Sequence, residues 1–178
     1  DMLVEVMGRD SGWLAVYGAM LSGAHEFLIP EEPFSLENLK ERIEQLRTKN
    51  QPAMIIVAEG VDLPNRKPAE IQDSFGNQAF AGVSFQLAEE LAEAGLSKPR
   101  TVVLSYLQRG GKPAVSDELL ALRMGRKAAE LIHRSQGGVM VALKQNQLTS
   151  IPLADVIGRR QRVPQEIIDF ARGLLVMR

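Results

Sequence analysis

Hydrophobic residues follow two alternating patterns along the chain. Short continuous runs are typical of buried β-strands, and longer stretches with apolar positions three or four residues apart are typical of amphipathic helices. The runs that predict strands are Leu3–Met7, Glu26–Ile29, Met54–Ala58, Val102–Leu107 and Val139–Leu143. Helices are predicted between and after them over residues 35–49, 78–94, 116–134 and 164–176.

Residues that commonly begin helices precede these stretches, with Ser35 and Ser116 at predicted N-caps and Pro164 in a predicted first turn. The alternation predicts an α/β fold, a mainly parallel sheet with flanking helices in a Rossmann-like three-layer sandwich. A length of 178 residues is enough for one domain with a buried core, or for two small lobes. Ligands bind such sheets at the carboxyl ends of the strands, so the residues that follow each strand are the candidates for chemistry.

Composition and charge narrow the possible classes of protein. The net charge of −1 argues against a wide nucleic-acid-binding surface. The absence of cysteine excludes disulfides and thiolate chemistry and fits a cytoplasmic protein. The longest apolar run, Ala53–Ala58, is too short for a membrane span, and no signal peptide is visible. The chain opens on Asp1 directly before an apolar stretch, so we expect it to be part of a longer polypeptide.

The first predicted strand is followed by a glycine-containing turn, Met7-Gly8-Arg9-Asp10-Ser11-Gly12. The glycines allow close approach of the backbone to a ligand, and the helix start is expected to offer unpaired N–H groups to an anion. Arg9 would lie over the carboxyl edge of the sheet. It could equally be a solvent-exposed arginine in a strand–helix turn.

The third and fourth predicted strands also end in polar residues. Glu59 could accept hydrogen bonds from sugar hydroxyls, or it could cap a helix or pair with a surface lysine. Arg109, followed by Gly110 and Gly111, is a candidate phosphate cradle because a guanidinium can bind two phosphate oxygens at once. Arg100 lies at the opposite end of its strand. It could reach a ligand of a neighbouring subunit, or it could be a surface residue.

The two histidines, His25 and His133, lack metal-ligand spacing, since neither is followed three or four residues later by a second histidine or a carboxylate. His133 is predicted near a helix C-terminus, where its charge suits the dipole. We therefore interpret both as structural and predict no metal-ligating residues in this chain.

Three segments together resemble the C-terminal half of the phosphofructokinase family: VEVMGRDSGWLA at 4–15, IIVAEG at 55–60 and TVVLSYLQRGGKP at 101–113. The segment that follows, SDELLALRMGRKAAELI, resembles the helix that the family has there. The resemblance implies that residues 1–178 form a single α/β domain, the sugar-phosphate-binding half of a two-domain enzyme. That enzyme transfers a phosphoryl group to the 1-hydroxyl of fructose 6-phosphate in glycolysis. The N-terminal donor-binding half would be absent, and the chain alone is expected to be inactive.

The resemblance also implies roles for individual residues. Met7, Gly8 and Arg9 match the segment that contacts fructose 6-phosphate near its reacting end, and Arg9 would stabilise charge on the transferring phosphoryl group. Glu59 matches the carboxylate that holds the sugar hydroxyls, and Arg109 matches the arginine that binds the 6-phosphate.

Arg100 matches an arginine lent across a subunit interface to the sugar phosphate of a neighbour, which implies a homo-oligomer. Tyr106 stands beside the 6-phosphate position, where many ATP-using members have a histidine. Tyr106 and the pair Gly12-Trp13 look more like the diphosphate-using branch, and the donor is left as ATP or diphosphate. The donor and Mg²⁺ would bind mainly to the absent half. Residues 49–52 lack the basic cluster of allosterically regulated bacterial members, so we expect no effector site there.

A second hypothesis is a non-catalytic module that uses the same fold to bind or sense a sugar phosphate. For the enzyme the expected partner is fructose 6-phosphate, and for the module it is a sugar phosphate; neither nucleic acid nor a membrane is expected as a partner.

Overall fold

A computed structural model of the chain describes residues 1–64 and 82–176. The chain folds into two compact units, Asp1–Arg109 with Arg160–Arg178, and Gly110–Arg159. The strands are β1 Met2–Val6, β2 Glu26–Leu28, β3 Met54–Ala58, β4 Arg100–Val103, β5 Val139–Lys144 and β6 Gln147–Pro152. The α-helices are α1 Trp13–Ser22, α2 Leu36–Thr48, α3 Val83–Glu93, α4 Val115–His133 and α5 Gln165–Val176.

The first unit contains a four-stranded parallel sheet in the order β2-β3-β1-β4. Helices α1, α2, α3 and α5 belong to the same unit, and their apolar faces join the sheet in one hydrophobic core. Fully buried members come from strands and helices alike, including Leu3, Phe27, Ile55, Leu87 and Ile168. The sequence-based prediction of a mainly parallel α/β sheet with flanking helices is therefore confirmed.

The predicted start of α2 is confirmed, because the Ser35 hydroxyl accepts a hydrogen bond from the Asn38 backbone N–H at 3.2 Å. The predicted cap of α4 is wrong. That helix begins at Val115 behind Ala114, without a side-chain cap, so Ser116 lies inside its first turn. Helix α3 begins at Val83, and residues 78–81 of the predicted helix lie outside the described residues.

The predicted strand Val102–Leu107 is wrong at its end, because β4 stops at Val103 and a 3₁₀ turn, Ser105–Arg109, follows. Ser105 has a φ of 40°, a left-handed conformation that takes the chain out of the sheet. The backbone N–H of Leu107 then donates to the Leu104 carbonyl at 2.9 Å. Apolar composition alone cannot distinguish this exposed turn from a strand.

In the second unit, helix α4 is followed by an antiparallel hairpin of β5 and β6. The predicted strand Val139–Leu143 is present as β5, but it lies outside the parallel sheet, and β6 was not predicted. Gln145 and Asn146, the turn residues, have φ values of 48° and 65°. Positive φ at both central residues characterises the type I′ turn, which joins two strands tightly. His133 is the last residue of α4, as predicted.

None of the helices in the described part of the chain combines the length and apolar content needed to cross a membrane.

Candidate functional site

Three chain segments converge at the carboxyl edge of the parallel sheet. Met7 follows β1, Glu59 follows β3, and the 3₁₀ turn that ends at Arg109 follows β4. Strand β1 lies between β3 and β4, so the segment after β1 is flanked by the other two. The topology therefore brings together side chains that are about fifty and one hundred residues apart in sequence.

On the β3 side, Glu59 joins the two strand ends. Its backbone N–H donates to the Val6 carbonyl at 2.9 Å, extending the ladder by one bond. Its carboxylate Oε1 accepts from the Gly8 N–H at 3.3 Å. The carboxylate is therefore positioned directly beside Gly8, at the sheet edge where ligands bind.

Two glycines make this close approach possible. Gly8 has a φ of +153°, and a Cβ atom there would lie 2.8 Å from the Ser11 carbonyl oxygen. A Cβ atom at Gly60 would lie 1.9 Å from the Arg9 carbonyl oxygen, well inside van der Waals contact. The Gly60 N–H donates to the Gly8 carbonyl at 3.0 Å. Residues 8–9 and 59–60 are thus packed backbone against backbone.

On the β4 side, Gln108 and Arg109 both contact Met7. The Met7 N–H donates to Gln108 Oε1 at 2.7 Å, and Arg109 Nε donates to Met7 Sδ at 3.4 Å. Arg109 is otherwise exposed, so its guanidinium can bind an anionic ligand from solvent. The sequence reasoning missed Gln108. Its position directly before Arg109, in a polar segment after a strand, was the available signal.

The remaining candidate residues lie at different distances from the contacts that Met7 and Gly8 make with Arg109 and Glu59. Arg9 continues the segment after Gly8 and is exposed. Tyr106 lies in the 3₁₀ turn and is 78% exposed. Arg100 is the first residue of β4 and pairs in register with Met2, so it lies about 16 Å along the sheet from Met7. The structure does not bring Arg100 close to the other six candidate residues, which are Met7, Gly8, Arg9, Glu59, Tyr106 and Arg109.

The predicted anion site at the start of α1 needs correction. The Gly12 N–H, at the N-cap of α1, donates to both carboxylate oxygens of Glu31 at 3.0 Å each. The same carboxylate accepts from the Val163 N–H at 3.0 Å. A protein carboxylate therefore already compensates this helix start, and a second anion there would be repelled. Gly12 is needed for packing, since a Cβ atom would lie 2.2 Å from Ile29 Cγ2.

The resemblance implies that the complete reaction requires Mg²⁺. Mg²⁺ prefers oxygen ligands in an octahedral arrangement, commonly carboxylates with waters and phosphates. Across residues 1–64 and 82–176, no group of three or more His, Asp or Glu side chains is placed to hold a metal ion. The described residues therefore do not fit a magnesium site.

A second charged cluster lies beside β2, the outer strand of the sheet next to β3. Arg172 on α5 forms ion pairs with Glu26 and with Glu32, the latter at 2.5 Å, and its guanidinium lies 3.9 Å from the Phe27 ring centroid. Burial lowers the pKa of Arg172 to about 10. Burial, and then the carboxylates of Asp169 and Glu31, raise the pKa of Glu32 despite its ion pair. An adjacent cavity of about 270 Å³ includes none of the seven candidate residues.

Comparisons with known proteins show which family the chain resembles. The family model described as Phosphofructokinase matches residues 1–132. The pyrophosphate–fructose 6-phosphate 1-phosphotransferase of Dictyoglomus thermophilum is 39% identical over 167 residues, covering 91% of this chain and 48% of that relative. The ATP-dependent 6-phosphofructokinase of Corynebacterium efficiens is 38% identical over 170 residues, covering 93% of this chain and 49% of that relative.

Among solved structures, the pyrophosphate-dependent phosphofructokinase of Marinobacter aquaeolei matches with a TM-score of 0.72 and 23% identity, over 98% of this chain and 47% of that one. At that identity the match supports the fold alone. The chain spans about half the length of the curated relatives it matches. Because the family model covers residues 1–132 of 178, this chain belongs to the phosphofructokinase family.

Proposed function

We propose that residues 1–178 form the fructose 6-phosphate-binding half of a 6-phosphofructokinase. The complete enzyme would transfer a phosphoryl group from ATP or diphosphate to the sugar 1-hydroxyl and give fructose 1,6-bisphosphate. Relatives that use each donor match this chain at similar identity, 39% and 38%, so the proposal covers both donors.

The observation that supports this proposal is the double contact of the segment after β1. Gly8 donates to the Glu59 carboxylate on one side, and Met7 contacts Arg109 on the other. A carboxylate suited to sugar hydroxyls and a guanidinium suited to a phosphate therefore flank one short backbone segment. A sugar phosphate has both kinds of group, so it matches this pair of partners.

We assign the roles of these residues accordingly. Glu59 accepts hydrogen bonds from the sugar hydroxyls, and Arg109 binds the 6-phosphate with Tyr106 beside it. Met7 and Gly8 form the surface against which the sugar lies. Arg9, which is exposed to solvent, stabilises charge on the phosphoryl group during transfer.

The proposed half-site binds the acceptor but does not complete the reaction. Phosphoryl transfer requires the donor phosphate and the acceptor hydroxyl in line and within a few ångströms of each other. We propose that the donor and its Mg²⁺ are held mainly by the half of the relatives' length that this chain does not span. The isolated chain is therefore expected to bind fructose 6-phosphate without turnover.

Arg100 supports a further part of the proposal, a homo-oligomer. It is exposed at the amino end of β4, about 16 Å from the segment that holds the other residues. Within one subunit it cannot contact the same sugar phosphate. We propose that it reaches the sugar phosphate of a neighbouring subunit.

Calorimetric titration of the chain with fructose 6-phosphate tests the proposal. Arg109→Ala should weaken binding by at least about ten-fold, the effect expected for a lost charge-assisted hydrogen bond. Arg126→Ala is the matched control, because Arg126 is an exposed arginine on α4 that pairs with Glu130. Equal affinities in the two variants, or no heat of binding with the unaltered chain, would contradict the assignment.

A further inference from the structure

Gln108 makes a contact that joins two parts of the proposed site. Its side-chain Oε1 accepts a hydrogen bond from the Met7 backbone N–H at 2.7 Å, across 101 positions of sequence. The next residue, Arg109, contacts the Met7 sulfur at 3.4 Å. Consecutive residues of the 3₁₀ turn thus hold the main chain and the side chain of the same methionine.

The geometry of the sheet explains why a side chain is needed at this point. Between β1 and β4 the parallel ladder ends with the Leu104 N–H donating to the Glu5 carbonyl at 3.0 Å. The next bond of a parallel ladder would run from the Met7 N–H to the Leu104 carbonyl. That carbonyl instead accepts from the Leu107 N–H at 2.9 Å, inside the turn. The Met7 N–H is left without its ladder partner, and Gln108 Oε1 takes that place.

We infer that Gln108 is a positioning residue for sugar-phosphate binding. By replacing the missing ladder bond, it fixes the distance between the 3₁₀ turn and the Met7–Arg9 segment. The Arg109 guanidinium is thereby held over Met7 before any ligand arrives. Less conformational entropy of this side chain is then lost when the ligand binds. Gln108 does not contact the substrate in this account and acts through Arg109 and Met7. The inference rests on the proposed function.

Gln108→Leu removes the acceptor and keeps a similar side-chain volume. Gln165→Leu is the matched control, because Gln165 lies on the surface of α5 and donates to Asp169 at 2.9 Å, away from the site. Gln108→Glu retains an acceptor oxygen at the same length. Gln108→Glu is used only in the measurement of hydrogen exchange at the Met7 amide, because its negative charge would itself repel a phosphate. Gln108→Asn, one methylene shorter, replaces the leucine variant if that protein does not fold.

The readouts are the affinity for fructose 6-phosphate by calorimetry, the hydrogen exchange of the Met7 amide by NMR, and the melting temperature. Gln108→Leu should speed Met7 exchange and weaken fructose 6-phosphate binding by about three- to ten-fold, the range for one neutral hydrogen bond. Its melting temperature should stay close to that of Gln165→Leu, and Gln108→Glu should restore slow exchange at Met7.

Two results would overturn the inference and are distinguishable from each other. If Gln108→Leu binds fructose 6-phosphate as tightly as Gln165→Leu does, Gln108 has no positioning role, although the proposed function stands. If the unaltered chain does not bind fructose 6-phosphate, the proposed function fails, and the inference fails with it.

Discussion

Arg109 Nε lies 3.4 Å from Met7 Sδ, although 102 positions separate the two residues in sequence. The contact forms because β1 and β4 are neighbours in the sheet and both run toward the same edge. The turn that follows β4 then folds back across the end of β1. It places a cation beside a backbone segment whose other side faces the Glu59 carboxylate.

The close approach of residues 8–9 and 59–60 predicts a severe effect of Gly60→Ala. The new Cβ would lie 1.9 Å from the Arg9 carbonyl oxygen, and that neighbour is backbone, which cannot rotate away. We expect the free energy of unfolding to fall by about 2 kcal/mol or more, as in other strongly overpacked sites. Urea denaturation of the variant measures this change.

Gly125→Ala is the control for Gly60→Ala. Gly125 lies in the interior of α4, and a Cβ there would meet no atom within 4 Å. Alanine in an open helical position should raise the free energy of unfolding by about 0.5–1 kcal/mol. A Gly60→Ala variant as stable as the unaltered chain would show that the two segments are not packed as described.

The buried carboxylate of Glu5 predicts a second large loss of stability. Glu5 is only 1% exposed and accepts from the Gly82 N–H at 2.8 Å, the Ser84 N–H at 2.9 Å and the Ser84 hydroxyl at 2.6 Å. It therefore connects β1 to the first turn of α3. Glu5→Ala should lower the free energy of unfolding by about 3 kcal/mol or more, since it leaves buried donors without a partner.

Two further variants serve as comparisons for Glu5→Ala in the same urea experiment. Glu41→Ala, at an exposed position of α2, should change the free energy of unfolding by less than about 0.5 kcal/mol. Ser84→Ala should cost only about 1 kcal/mol, because the Ser84 N–H keeps its bond to Glu5. Similar losses in Glu5→Ala and Glu41→Ala would contradict the buried role of Glu5.

The sequence predicted the parallel sheet because its strands are continuous apolar runs, as in Met54–Ala58, and because helical periodicity separates them. It could not predict the end of β4, since Tyr106 and Leu107 are as apolar as strand residues and only the φ of Ser105 turns the chain away. The hairpin of β5 and β6 was missed because its turn uses Gln145 and Asn146 without glycine.

The same limits apply to the candidate site. Strand ends identified Met7, Glu59 and Arg109, because topology alone brings strand ends to one edge. A sequence pattern could not predict hydrogen bonds between segments that are distant in sequence. Gln108 replaces a ladder bond that is lost only because Ser105 turns, and Glu31 occupies a helix start that is 19 positions away from it in sequence. Both depend on the exact path of loops.

The raised pKa of Glu32 predicts a pH-dependent stability. The folded chain keeps the Glu32 proton to a higher pH than the ordinary value of 4.5, so the folded state binds more protons within that window. The contribution of Glu32 to the free energy of unfolding is therefore present below pH 4.5 and falls as pH rises through its raised pKa. Glu32→Gln should abolish this pH-dependent decrease in the free energy of unfolding, because glutamine does not titrate.

Urea denaturation across a pH series measures the effect. Relative to the unaltered chain, Glu32→Gln should become progressively more stable as pH rises through the window above 4.5. Glu41→Gln on the exposed face of α2 serves as the control for loss of one surface carboxylate. A stability difference between Glu32→Gln and the unaltered chain that stays constant with pH would contradict the raised pKa.

The position of Arg100 predicts a dependence on oligomeric state. Arg100→Ala should leave the fructose 6-phosphate affinity of the monomer unchanged, because its side chain lies at the opposite end of β4 from Arg109. In an oligomer the same change should weaken binding, as a guanidinium from the neighbour would be lost. Calorimetry on fractions whose mass is known from analytical ultracentrifugation separates the two cases. Weaker binding in the monomer would contradict the proposed role.

NMR titration of the isotope-labelled chain with fructose 6-phosphate tests whether the carboxyl edge of the sheet binds this sugar phosphate. Saturable shifts are expected at the backbone amides of Met7, Gly8, Glu59 and Arg109. In Arg109→Ala the shifts should need at least about ten-fold more fructose 6-phosphate to saturate, and in Arg126→Ala they should saturate as in the unaltered chain. If fructose 6-phosphate at millimolar concentration perturbs none of these amides, or perturbs only residues beside β2, the proposed site is wrong.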